Sequence, residues 1–205
     1  KMDIPAVFEK TFYYLSDEEK DFLDLFLERH SIASGEEVVA IAPGGGESAK
    51  RTMLTRHWPV QNYIELIQRL KDERSCRVIL VGGPGDREVT NRIIQISPGC
   101  LDATDLSLGD MASIFRGCSL LIGSDHARNH IAVAMGIPSI RILGPADSRP
   151  STSFNMINDA SAASGKPNPS LIGGKFSRPS DAEFPVAVSV DEVWRHLKTI
   201  GGYCQ

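Results

Sequence analysis

Three short stretches of this chain hold the residue types that handle phosphates and sugars, and each follows an apolar run. The first is Pro43-Gly44-Gly45-Gly46-Glu47-Ser48, with Lys50, Arg51, Thr52, Thr55 and Arg56 close behind. Glycines let backbone N–H groups approach a phosphate closely and tolerate a positive φ. The cations and hydroxyls that follow add charge and hydrogen bonds, although glycine turns that bind nothing are common. The second stretch is Gly82-Gly83-Pro84-Gly85-Asp86, with Glu88 beyond it. A carboxylate at Asp86 or Glu88 could accept hydrogen bonds from ribose hydroxyls. The competing reading is a charge that offsets a helix macrodipole. The third is Ser124-Asp125-His126-Ala127, with His130 one turn further on. Asp125 stands between an apolar run and a helical pattern, where capping the helix and touching a ligand are compatible roles. His126 faces a ligand or is buried, and His130 is either a packed histidine on an apolar helix face or a site residue.

The elements that must position these residues alternate along the chain. Val38–Ala42, Cys76–Val81, Leu101–Ala103, Leu120–Gly123 and Ser139–Leu143 read as strands, and the first and fourth are apolar without alternation. Such runs belong to parallel strands covered on both faces. Helical spacing follows them: Tyr63, Ile64, Ile67 and Leu70 after Pro59; Val89, Ile93 and Ile94; a helix from Ser107 to Gly117; and Ile131, Ala132, Ala134 and Met135 ending at Gly136. Trp58 reads as packing at the start of its helix rather than as a stacking platform. Strand–helix alternation of this kind predicts a Rossmann-like α/β fold with a doubly wound, mainly parallel sheet. The polar clusters then fall at strand carboxyl ends, along one edge.

Two capping boxes mark further helices, Ser16-Asp17-Glu18-Glu19 and Ser189-Val190-Asp191-Glu192. The first opens a helix with the stripe Phe22, Leu23, Phe26 and Leu27, expected to end at Gly35. Residues 1–35 therefore read as an interdomain lead-in with one helix, and 36–205 as the nucleotide-binding domain. Within it, 148–185 is rich in Ser, Pro, Gly and Asn and reads as a long loop, and 189–200 as the terminal helix.

Bulk composition sets limits. The 205 residues suit one domain of moderate size, with 41% hydrophobic and 23% charged residues and a net charge of −4. That balance argues against nucleic acid as the main partner. No apolar run approaches the ~20 residues of a membrane span, and no secretory leader opens the chain, so a cytoplasmic location is expected. Cys76, Cys100, Cys118 and Cys204 lack metal-ligand spacing and read as small apolar side chains, with no metal site. No GxGxxG follows a strand, which disfavours a dinucleotide dehydrogenase, and the first glycine turn is not a GxxxxGK[ST] loop either. A nucleotide-sugar epimerase, or a non-catalytic nucleotide-binding module, stays open as an alternative.

Ala42-Pro43-Gly44 through Arg56-His57-Trp58-Pro59, Thr104-Asp105-Leu106-Ser107-Leu108, Gly123-Ser124-Asp125 with His130, and Gly144-Pro145-Ala146-Asp147 stand in a recognisable order. With these blocks the chain resembles the carboxyl-terminal half of glycosyltransferase family 9, the ADP-heptose:lipopolysaccharide heptosyltransferases. The likeness runs from about residue 36 to 150, plus the terminal helix. It implies half of a two-domain, type B, inverting glycosyltransferase that binds an ADP-heptose-like donor, with a lipopolysaccharide core as acceptor and no cofactor. Arg56 would offset charge on the departing pyrophosphate, and Thr52 would bond a phosphate. Gly44 and Gly45 would form the turn beside it, and Leu106 would flank adenine. Asp125 would bind the sugar hydroxyls, with His126, Ala127 and His130 on the helix that cradles the diphosphate. The family's Asp-(Ser/Thr)-Gly is here Asp125-His126-Ala127, and Arg128 brings a compensating positive charge. The general base belongs to the family's amino-terminal domain, which also takes the acceptor, so this stretch alone is expected to be inactive. The whole protein would work in the cytoplasm, peripherally at the inner membrane.

Overall fold

The structure is a computed structural model that describes residues 12–44, 47–48, 51–52, 58–124, 127–143, 171–173 and 188–200. Its frame is a six-stranded parallel sheet. The strands are β1 (Val38–Ala42), β4 (Arg77–Gly82), β5 (Leu101–Thr104), β6 (Leu120–Ser124), β7 (Ser139–Leu143) and β8 (Leu171–Gly173), in the spatial order β5-β4-β1-β6-β7-β8. Every pairing in it is parallel, with Val39 of β1 opposite Val78 on one side and Leu120 on the other. A short antiparallel hairpin, β2 (Glu47–Ser48) and β3 (Arg51–Thr52), follows β1.

Helices cover both faces, which is why the central strands are apolar throughout. On one face α2 (Val60–Arg74), α3 (Arg87–Ile96) and α6 (Val190–Thr199) pack on Val39, Ile41, Val78, Leu80, Leu120, Ile122, Ile140 and Ile142. On the other, α1 (Asp17–Arg29), α4 (Leu108–Arg116) and α5 (Ala127–Ala134) pack on Val38, Ala40, Ala42, Ile79, Val81 and Leu121. Phe26 of α1 is buried in that second cluster, so the apolar stripe of the lead-in docks on the sheet domain itself.

Local chemistry explains the element ends. Both capping boxes form: Glu19 N–H donates to Ser16 Oγ and Glu192 N–H to Ser189 Oγ, with the glutamate carboxylates reaching back. Helix α1 ends at Arg29, earlier than the expected stop at Gly35. Ser31 takes the left-handed conformation at φ 51°, and Ile32 N–H donates to the Leu27 carbonyl, a Schellman closure made without glycine. Gly136 closes α5 as expected, at φ 83°, with Ile137 N–H on the Ala132 carbonyl. The 148–185 stretch is not loop throughout, because Leu171–Gly173 pairs with β7 as an edge strand.

Cys76, Cys100 and Cys118 are unbridged and buried. Burial pushes the Cys76 and Cys118 thiols up to about 12 and raises that of Cys100. Each sits at the end of a helix, just before the strand that helix feeds.

Trp58 is core. Its ring meets Tyr63 edge-on at 4.8 Å, and its Nε1–H donates to the Val188 carbonyl at 2.8 Å. That bond fastens the start of α2 to the residues that lead into α6. Trp58→Phe keeps most of the ring contact but strands a buried carbonyl. It should lower the urea midpoint, with an unchanged m-value, by an amount equivalent to about 1–3 kcal/mol.

Candidate functional site

The strand order creates one special position. Counting only sheet strands, the order is 3-2-1-4-5-6, and the direction of winding reverses between β1 and β6. The chain after β1 goes on to α2 on one face and the chain after β6 to α5 on the other, the arrangement that in open α/β sheets leaves a crevice at the strand carboxyl ends. Ala42-Pro43-Gly44 leaves β1 there, and Ser124 leads from β6 towards α5.

Buried polar groups fix both sides of this crevice. The Tyr63 hydroxyl, fully buried, lies 3.5 Å from the Ala42 carbonyl and 3.4 Å from Ser124 Oγ, and burial raises its pKa well above the usual phenol value. It therefore joins the ends of β1 and β6 as a neutral group. Asn129 of α5, 1% exposed, donates its amide to the Ser124 carbonyl at 2.6 Å and sets where the chain turns from strand to helix.

Asp86 holds the β4 side. Its Oδ2 accepts from Gly83 N–H at 2.9 Å and from Arg128 Nη2 at 2.7 Å, and its side chain is 6% exposed. The carboxylate lies against the α-carbon of Gly44: a Cβ there would fall 1.8 Å from Asp86 Oδ1. The three strand ends are thus locked by one ion pair packed on one glycine. An open acceptor for ribose is not what Asp86 presents, and it makes no side-chain cap on α3 either. Glu88, by contrast, is exposed on the first turn of α3.

Other expected site residues are placed as follows. Gly44 is buried at the end of β1; Ala127 is the first residue of α5 and exposed; His130 is half-buried on the same helix. Leu106 follows β5, half-buried against the α4 side of the core. Just before it, Asp105 adopts φ 62° and pairs with Arg87. Thr52 lies in β3 opposite Glu47 of β2, so part of the segment between the glycine turn and the helix, for which the sequence carries no strand expectation, pairs as two short antiparallel strands. Gly45, Arg56, Asp125 and His126 lie outside the described residues. Gly44, Asp86 and Leu106 follow β1, β4 and β5, and Ala127 and His130 lie in the first half of α5 after β6, so all five come after strand carboxyl ends. Sequence reasoning did not single out Tyr63 or Asn129 as site supports; Asn129 alone carried a signal, as an amide on the inner side of an apolar helix. Among the described residues no group of three or more His, Cys, Asp or Glu could hold a metal ion.

A parallel sheet in this order, with helices on both faces and one reversal of winding, is a Rossmann-type α/β architecture. Comparison with known proteins narrows the class. The family model for glycosyltransferase family 9 (heptosyltransferase) matches residues 5–165. Lipopolysaccharide heptosyltransferase 1 of Pseudomonas aeruginosa is 30% identical over 97 residues, covering 47% of this chain and 27% of that protein. Among solved structures, a glycosyltransferase family 9 protein of Veillonella parvula superposes with a TM-score of 0.70 at 16% identity, over 92% of this chain and 53% of that one. The ADP-heptose lps heptosyltransferase II of Escherichia coli gives 0.68 at 19% identity, over 97% and 55%. The chain belongs to glycosyltransferase family 9. It spans about half the length of the solved relatives it superposes on.

Gly44→Ala tests the lock. The Asp86 carboxylate is short and held by two hydrogen bonds, so it cannot yield the space a methyl needs. The substitution should cost about 1–3 kcal/mol in urea denaturation, whereas Ala127→Ser, at an exposed position, should leave stability within about 0.5 kcal/mol.

Proposed function

We propose that this chain is the donor-binding half of an inverting glycosyltransferase that takes a heptose, or a related sugar, from an ADP-heptose-like donor to a lipopolysaccharide core. The observation that carries this reading is the coincidence of the winding reversal with the family's blocks: Gly44, Leu106, Ala127 and His130 all lie on that one edge. Family membership supports the transfer chemistry, and the heptosyltransferase names of the relatives support the donor class.

In this reading the diphosphate lies over the loops that follow β1 and β6, and adenine extends towards β5 and Leu106. Asp125 binds sugar hydroxyls, and Thr52 and the glycines after Pro43 receive phosphate oxygens. Glu88 is the acidic group open to a ribose. An acceptor hydroxyl attacks the anomeric carbon from the face opposite the diphosphate. As that carbon–oxygen bond breaks, charge collects on the departing phosphate, where Arg56 offsets it. The acceptor's proton goes to a base on the other half of the enzyme, which also holds the acceptor. Residues 1–35 bridge the halves, and 36–205 form the donor domain. Among the described residues no helix is long and apolar enough to cross a membrane. In this reading the acceptor is met peripherally, from the cytoplasmic side of the inner membrane, a placement that rests on the family likeness.

Calorimetric titration with ADP, UDP, GDP and ADP-heptose tests the proposal. Preference for the adenine ligands is expected, weakened roughly tenfold or more by Asp125→Ala and by Arg56→Ala, as for loss of one charge-assisted hydrogen bond. Preference for UDP or GDP would keep the fold and replace the donor. Nucleotide binding that neither substitution touches would favour a non-catalytic module.

A further inference from the structure

Asp86 is a buried charge that the transfer chemistry leaves unused. With Arg128 it forms an ion pair whose side chains are 6% and 14% exposed, set against Gly44 and Gly83. This pair stands at the carboxyl ends of β1 and β4 and the start of α5, on the edge where the donor reading places a diphosphate. Charges this sheltered act through a lower effective dielectric than surface charges and are less screened by salt. A carboxylate here repels a nucleotide's phosphates, and a guanidinium attracts them. Arg87 and Asp105 also pair on this edge, but they are more exposed and so more screened by solvent and salt.

From this geometry, and resting on the donor reading above, we infer that the Asp86–Arg128 pair sets how tightly the edge holds a nucleoside diphosphate, with Asp86 attenuating the pull of Arg128. The nucleoside diphosphate is the leaving product of the transfer. An uncompensated guanidinium beside it would bind donor and product alike, gain nothing in the chemical step and slow release. Asp86 removes that excess while its bond to Gly83 N–H keeps the loop in place.

The test is titration of ADP and AMP into the protein, its Asp86→Asn and Arg128→Met variants, and the double variant, at several salt concentrations. The asparagine side chain retains an oxygen acceptor for Gly83 N–H, so Asp86→Asn changes charge more than shape. Asp86→Asn should bind ADP roughly fivefold tighter, gain less for AMP, and keep most of that gain as salt is raised. Arg128→Met should weaken ADP, and the double variant should return towards the parent protein. Weaker ADP binding in Asp86→Asn, equal for AMP and ADP and in step with a lower Tm, would mean a purely structural pair and overturn the inference alone. An ADP affinity left unchanged by Asp86→Asn would overturn it as well. Absence of nucleotide binding in the parent protein would overturn the donor reading and this inference with it. If Arg128→Met does not fold, the sign of the Asp86→Asn effect decides.

Discussion

Strand β1 hydrogen-bonds to β4 on one edge and β6 on the other, both in parallel. Most of what distinguishes this molecule depends on that double pairing. It buries β1 completely, which requires an apolar strand covered by a helical layer on each face. It also brings the chain back across β1 after β5, and so creates the point where the winding reverses. Parallel direction does the rest, because all strands then deliver their following loops to the same edge. Residues as distant in sequence as Gly44, Leu106 and His130 are brought to one edge of the sheet only through this arrangement.

The polar groups near the reversal show how such an edge is kept from collapsing. Apolar packing alone would leave the ends of β1 and β6 free to slide, since dispersion is indifferent to direction. The Tyr63 hydroxyl between the Ala42 carbonyl and Ser124 Oγ, and the Asn129 amide on the Ser124 carbonyl, are directional and buried. Breaking either would leave a polar atom without water to replace its partner, which is costly in a dry interior. These groups specify geometry more than they add net stability.

Sequence alone carried five of the sheet's six strands and the α-helices, because each is announced by physics local to it. A strand buried on two faces must be a continuous apolar run, as Val38–Ala42 is, and a helix start must satisfy orphan N–H groups, as Ser16 and Ser189 do. What stayed hidden was short or long-range. Two-residue strands such as Glu47–Ser48 and the three residues Leu171–Gly173 carry no periodicity to read. The end of α1 relied on Ser31 adopting a conformation in which glycine is the usual choice. The pairing of Asp86 with Arg128 spans 42 positions and exists only once the strand order is known. The residue types of the candidate site were therefore legible, while the partnership that commits Asp86 was not.

The three buried cysteines lend the domain a further property. Cys76 closes the step from α2 to β4, Cys100 that from α3 to β5, and Cys118 that from α4 to β6. A thiol held protonated and out of solvent reacts with an alkylating reagent only when its surroundings open. The three crossovers through α2, α3 and α4 thus each contain their own clock. Labelling followed site by site would report the order in which the α/β layers separate, without any engineered probe.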